Sequence, residues 1–306
     1  MGRLGSLAEV AGFGALNVDK LFLVDRIPAR DEEGFVIDVK IAPGGSAANT
    51  IVGLSRLGVK TVFVGKVGSD SEGEFLLCDL RNEGVDVSSV KVSEGRSGCA
   101  MVFVDPSGHR AILVDPGVND EVDFEEINVE ALSAEAIHMT SFVCKSSDKP
   151  FEAQKKLATF FDTVSLDPGT LYAERADVWE LISKTTIFLP SVAEIEKITG
   201  ADYRRGAEKV MAHGVKIVAV KLGEKGCYVT DGRKEFHIPA LKVSVADTTG
   251  AGDAFNAGFL YAYLRGYDLD VCGVAGNYVA AKCVEKLGAR DGLPSERDVE
   301  EYLSGL

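Results

Sequence analysis

Short apolar runs alternate with amphipathic stretches from residue 8 onward, and that alternation restricts the fold more than any other feature of the chain. The runs at 9–14, 59–65, 136–143, 163–167, 185–189 and 216–222 predict strands, several of them apolar at nearly every position. A strand with one wet face alternates polar and apolar residues, whereas a strand covered on both faces does not. Apolar runs separated by helical patterns therefore predict an α/β fold, a mostly parallel central sheet with helices on both faces. Between the first two runs, 46–57 sets Ala47, Ala48, Ile51, Leu54 and Leu57 near helical spacing and stops at Gly58. Ser71 and Glu74 have the spacing of a capping box that opens the next helix.

Two stretches depart from this alternation. Residues 35–41 alternate in polarity, and 99–104, the turn Asp105-Pro-Ser-Gly108 and 110–114 read as a β-hairpin. Antiparallel strands inserted this early predict a small β lid, at about 15–42 and 97–115, over one edge of a single domain spanning 1–306. The apolar faces of these segments predict a homodimer that pairs lid to lid. No internal repeat, low-complexity tract or long linker divides the chain.

Composition narrows the function. With 46% hydrophobic and 26% charged residues over 306 positions, the chain can bury a large core. Its formal net charge of -14 repels phosphate backbones, so nucleic acid is not an expected partner and any anionic ligand must be held by a local site. Runs such as 216–222 fall far short of the roughly 20 residues a membrane span needs. The N-terminus carries Glu9 and glycines where a leader has a basic segment and a long apolar one. No membrane association and a cytoplasmic location are the expectation. The six cysteines (Cys78, Cys99, Cys144, Cys227, Cys272, Cys283) form no Cys-x-x-Cys pair and have no histidine at ligand spacing, which points to small buried side chains.

Two glycine motifs imitate nucleotide sites without their context. Gly12-Phe-Gly14-Ala-Leu-Asn17 follows a strand, but its last position holds Asn and no helical pattern follows. In the second, Val59 separates Gly58 from Lys60-Thr61, and the stretch 53–61 runs from helix into strand. A phosphate loop needs the reverse order, so that free amides point at the anion.

The segment 243–259 has that order. A strand leads through Gly250-Ala-Gly252 into a helix carrying Phe255, Phe259 and Tyr263 on one face. Small residues let backbone N–H groups approach an anion, and the helix N-terminus adds its positive dipole end. Asp253 falls in the first turn, either as a helix-capping acid or as the carboxylate that accepts a hydroxyl proton during phosphoryl transfer.

Asp247-Thr-Thr-Gly-Ala-Gly-Asp253-Ala-Phe-Asn-Ala-Gly-Phe259 resembles the C-terminal signature of the ribokinase-like (PfkB) carbohydrate kinases at essentially every constrained position. Other segments follow in the family's order: Asn17 and Asp19 after the first strand, Gly44-Gly45-Ser-Ala-Ala-Asn49, the stretch 190–194, Leu222-Gly-Glu-Lys-Gly226, and Gly288-Ala289. The resemblance runs from about residue 9 to 303. It implies a ribokinase-like fold and transfer of the γ-phosphoryl group of ATP to a hydroxyl of a small sugar or sugar-like substrate. Asp253 would be the base, and Gly250, Ala251 and Gly252 the anion hole.

The resemblance also implies further roles. Asn17, Asp19, Gly44, Gly45 and Asn49 would grip the acceptor; from local chemistry alone, Asn17 and Asp19 are equally turn formers, and the two glycines a bend. Lys221, Gly223, Gly226 and Asn277 would border the nucleotide, although Asn277 sits among small residues that also suit tight helix packing. Ser191 stands where the family has Asn, and Glu194 would organise water around Mg²⁺, unless the two merely form a capping box. Asp247, with Thr249 and Gly288, matches positions that hold a monovalent cation, K⁺, in some relatives; otherwise Asp247 is a turn residue. Asp167 and Arg175 face either the same crevice or solvent. Two rival functions remain: a nucleoside kinase, with apolar room beside Asn17 from Phe22, Cys99 or Met101, and a non-catalytic sugar-binding or regulatory protein.

Overall fold

The computed structural model describes residues 8–107, 109–132 and 134–305; Gly108, the last residue of the predicted hairpin turn, lies outside them. In chain order the strands are β1 (Ala8–Phe13), β2 (Asn17–Val24), β3 (Val36–Gly44), β4 (Thr61–Gly68), β5 (Asp86–Ser93), β6 (Gly98–Val104) and β7 (Arg110–Asp115). They continue with β8 (Ala134–Thr140), β9 (Thr163–Asp167), β10 (Ile187–Phe188), β11 (Ile217–Lys221), β12 (Cys227–Thr230) and β13 (Glu235–Ile238).

Nine strands form one sheet in the order β13-β12-β11-β10-β9-β8-β1-β4-β5. All six strands predicted from apolar runs lie in it and pair in parallel. The antiparallel edge β12-β13 was not legible as strands, being short and split by a turn. From β1 the chain moves to β4 on one side and later to β8 on the other, which makes the carboxyl end of β1 a topological switch point where open α/β sheets bind ligands.

Helices cover both faces. Ser46–Arg56, Ala251–Leu264 and Leu269–Val284 pack on one, with Ile51, Leu54, Phe259 and Val279 fully buried. Lys149–Leu157 and Tyr203–Ala212 pack on the other, against Phe13, Ile137, Leu166 and Val218. Helix Ala251–Leu264 was expected to bury one face, yet every residue from Ala254 to Ala262 is buried; apolar residues all around it suit a helix enclosed by neighbours. The capping box at Ser71 is not formed. Asp70 caps that helix by accepting from the Gly73 amide at 2.9 Å, while Ser71 bonds to Glu72. Of the six cysteines, Cys227, Cys272 and Cys283 are buried as expected, whereas Cys78 is exposed.

A second sheet, in the order β3-β2-β6-β7, forms the lid. It is not wholly antiparallel as expected: its outer pairs are, but the inner pair β2-β6 is parallel. Asp19 pairs with Ala42 and Ala100, and Leu21 with Lys40 and Val102, so these residues share one face.

Candidate active site

Gly250 ends the turn before helix Ala251–Leu264 with a left-handed φ of 75°. A Cβ there would meet the Ala289 Cβ at 2.5 Å, so glycine is required by both conformation and space. The Ala251 amide donates back to the Thr248 carbonyl at 3.3 Å. Among the described residues, the amides of Gly252 and Asp253 have no protein acceptor, as the first turn of a helix dictates. Lys221, the last residue of β11, brings its ammonium to this point: a Cβ on Gly252 would stand 3.5 Å from Nζ. That ammonium donates to Asp167 Oδ2 at 2.5 Å and to Asn256 Oδ1 at 3.4 Å, and Asn256 Nδ2 donates to the same carboxylate oxygen at 2.6 Å. Burial pushes the Asp167 carboxyl up, but the Lys221 charge and the hydrogen bonds from Lys221 and Asn256 outweigh it and hold it below the usual range.

Asp253 lies beside the unclaimed amides. Ser46 Oγ donates to its Oδ1, Asn49 Nδ2 to its Oδ2 at 2.9 Å, and Thr50 Oγ1 to its carbonyl at 3.3 Å. Burial pushes its carboxyl up to about 6, against the lowering effect of the Ser46 and Asn49 hydrogen bonds; Asp167 raises it further and Lys221 opposes. Asn49 therefore touches Asp253 directly. Its Oδ1 accepts from Arg290 Nε at 2.8 Å.

At the carboxyl end of β1, Asn119 clamps the chain. Its Oδ1 accepts from the Leu16 amide at 3.0 Å, and its Nδ2 donates to the Leu16 carbonyl at 2.9 Å and to Asn17 Oδ1 at 3.0 Å. Asn17 pairs with Gly44 on one side and Gly98 on the other, two positions without side chains. A Cβ on Gly44 would overlap the Asp19 carboxylate, and one on Gly45, whose φ is 101°, would overlap the Ala15 carbonyl. Desolvation pushes Asp19 up to about 6, with the Arg290 charge opposing.

The remaining predicted residues divide. Ser191 and Glu194 do form a capping box: the Ser191 amide donates to Glu194 Oε2 at 2.7 Å, and the Glu194 amide to Ser191 Oγ at 3.3 Å. The capping box lies next to the end of β11, where Ser191 bridges to Lys221 and the Lys221 amide donates to the Pro190 carbonyl at 2.9 Å, and burial and then the Asp167 charge raise the Glu194 carboxyl. Gly223 and Gly226 shape the turn after β11 with φ of 61° and 91°. Asn277 Nδ2 donates to the carbonyls of Ile238 and Pro239 at 3.1 and 3.2 Å, tying its helix to the end of β13. Asp247 accepts from the Thr249 amide and hydroxyl at 3.0 and 2.8 Å and from the Gly288 amide at 2.9 Å. Arg175 is turned to structural work: it pairs with Asp148 and Asp177 at 2.7 and 2.8 Å and stacks on Phe151. Phe22, Cys99 and Met101 share the lid face of Lys20, opposite Asp19, so they do not supply room beside the acceptor end.

Residues 7–296 match the pfkB family of carbohydrate kinases. The chain belongs to that family. This PfkB kinase is therefore a phosphotransferase, and its fold is ribokinase-like. It is 53% identical over 250 residues to an uncharacterized sugar kinase of Archaeoglobus fulgidus, covering 81% of this chain and 100% of that one. The ribokinase of Thermotoga maritima superposes with a TM-score of 0.87 at 28% identity, covering 97% of this chain and 99% of the other. The nucleoside kinase of Methanocaldococcus jannaschii superposes with a TM-score of 0.85 at 27% identity, covering 99% and 100%.

In this PfkB kinase, Ser46, Asn119, Asn256 and Arg290 join the site without having been expected there. Ser46 stands inside the 44–49 segment and Asn256 inside the 247–259 segment, and helical spacing gave a usable signal, since Asn256 follows Asp253 by three residues on one helix. Asn119 and Arg290 carry no local signal. Their partners lie 102 and 241 positions away in sequence.

Proposed function

We propose that this chain is an ATP-dependent kinase that phosphorylates a hydroxyl of a small sugar or sugar-like molecule, with Asp253 as the general base. The observation that carries the reading is the convergence of two unclaimed helix N-terminal amides, the Lys221 ammonium and the Asp253 carboxylate, raised to about 6, beside the carboxyl ends of β9 and β11. Asn17 and Asp19, with Gly44 and Gly45 leaving space, hold the acceptor. Its hydroxyl gives its proton to Asp253 as the oxygen bonds to the γ-phosphorus and the bond to the β–γ bridging oxygen breaks, releasing ADP, while the amides of Gly252 and Asp253 and the Lys221 ammonium stabilise the charge on the phosphoryl oxygens. Ala251, whose amide turns back to Thr248, contributes less than the sequence suggested.

The nucleotide lies over the Gly223–Gly226 turn. Mg²⁺ would be held through water by Glu194, a half-buried carboxylate that burial and then the Asp167 charge raise; when bound, it would neutralise phosphate charge. A monovalent cation such as K⁺ would be held at the 247–288 turn by the Asp247 carboxylate, which keeps a lone pair beyond its three donors, together with backbone carbonyls near Thr249 and Gly288. We also take the chain to work in the cytoplasm as one domain with a lid. Among the described residues no helix is long and apolar enough to cross a membrane. Exposed Val39, Ile41 and Leu113 on the Lys20 face of the lid support a homodimer through it; a monomeric mass by light scattering would count against that.

A thermal-shift screen of ribose, fructose, 2-keto-3-deoxygluconate and nucleosides, with and without ATP and Mg²⁺, tests the reading. A ligand of the folded form raises the melting temperature. A shift with one acceptor, enlarged by nucleotide, supports it, and no shift with any acceptor contradicts it.

Two kinetic consequences follow. Asp19 and Asp253 both sit near 6 in the folded protein, so kcat/KM is expected to fall below about pH 6 with a slope approaching two, and Asp19→Asn to reduce that slope to one. A limb of slope one in the unaltered enzyme would remove one of them. Gly252→Ala is expected to melt normally, because its Cβ makes only ordinary contact with Lys221. It should still lower kcat/KM by about 10²-fold, by filling the space before the free amides. Full activity would mean that no anion docks there.

A further inference from the structure

Arg290 enters the molecule from the C-terminal loop and is buried between helices Ser46–Arg56 and Ser71–Asn82. Its Nε donates to Asn49 Oδ1 at 2.8 Å, its Nη1 pairs with Asp79, and its carbonyl accepts from Arg56 at 2.6 Å. Arg56 is itself forked onto Glu83 at 2.8 and 2.6 Å. Asn49 thus stands between a guanidinium, which can only donate, and the Asp253 carboxylate, which can only accept. An amide in that position has one workable orientation, because the flipped one sets NH₂ against guanidinium and carbonyl against carboxylate.

We infer that Arg290 is a positioning residue for Asp253: by holding the Asn49 carbonyl, it obliges Asn49 to present its NH₂ to the carboxylate that accepts the hydroxyl proton. This rests on the function proposed above. The hydrogen bond from Asn49 favours the ionised carboxylate, so losing it moves the Asp253 titration upward. The other groups that face Asp253 stay unchanged: Ser46 opens the helix that carries Asn49, and Asp167 on β9, Lys221 on β11 and Cys283 on helix Leu269–Val284 lie on separate elements. The Arg290 charge also reaches Asp19, so a single residue ties the acceptor-holding carboxylate to the proton-accepting one. Lysine cannot replace it, since one ammonium does not reproduce the fork that serves Asn49 and Asp79 together.

The test is a carboxyl ¹³C NMR titration of the ligand-free protein labelled at aspartate, with the Asp253 signal identified by its loss in Asp253→Asn. Arg290→Lys keeps a cation against Asp79, and Arg290→Met combined with Asp79→Asn removes the buried pair together. Both are expected to move the Asp253 midpoint up by about one pH unit and to lower kcat/KM about tenfold on the acid side. Asp79→Asn alone keeps the Arg290–Asn49 bond and should leave the midpoint in place. An unmoved midpoint in both Arg290 variants, with only a lower melting temperature, would overturn the inference. Because the titration needs no substrate, a chain without kinase activity would fail the functional reading and still leave this result legible.

Discussion

Asp253→Asn is expected to lower turnover by about three orders of magnitude while leaving KM for the acceptor nearly unchanged. In the proposed function the acceptor is held by Asn17 and Asp19 on β2, whereas Asp253 belongs to helix Ala251–Leu264, so the substitution would remove the proton acceptor and little binding surface. Its effect on stability is small for a physical reason. The amide loses one of the two hydrogen bonds from Ser46 and Asn49, but it also removes a carboxylate that burial already destabilises, and the two terms oppose each other within about 1 kcal/mol. The sign is checkable. Because the folded carboxyl sits above its unfolded value of 3.8, its ionisation costs stability as pH rises from about 4 to 6, and the variant should lose that pH dependence. Turnover within tenfold of the unaltered enzyme would take Asp253 out of the role of base.

Lys221→Met is expected to act on folding and on chemistry together. Removing the ammonium leaves the Asp167 carboxylate buried without a counter-charge, accepting only from Asn256 Nδ2 and the Gly169 amide, a loss of about 3–5 kcal/mol in denaturant unfolding. It also removes the cation facing Gly252, and kcat/KM should fall about 10²-fold. The two effects separate in Lys221→Met combined with Asp167→Asn, which leaves no unpaired charge: most of the stability returns and the activity does not. Asp167 titrates below its unfolded value, so the stability it contributes is present above about pH 4 and disappears as pH falls through the folded value. Recovery of activity in the double variant would mean that Lys221 serves only to neutralise Asp167.

Much of this was legible in the sequence because it is local. Continuous apolar runs identified six parallel strands, and one contiguous segment, 243–259, supplied both the glycine turn that leads into helix Ala251–Leu264 and Asp253 in its first turn. What was missed depends on register or on distance. Strand alternation turns Phe22, Cys99 and Met101 away from the Asp19 face, which only the pairing of β2 with β6 reveals. Arg175 looked free to meet a phosphate until folding brought Asp148 and Asp177 to it. Asn49 matched an acceptor-binding position, yet Asp253, distant in sequence, takes its NH₂. Arg290 had no motif at all; its meaning comes from lying across two helices.

Transfer of radiolabel from the γ-phosphate of ATP to a panel of sugars and nucleosides, run in parallel with Asp253→Asn, addresses the phosphotransfer site as a whole. The expected result is a labelled phosphomonoester of one acceptor class with the unaltered protein and almost none with the variant. No labelled product from any acceptor, or equal product from both proteins, would contradict it.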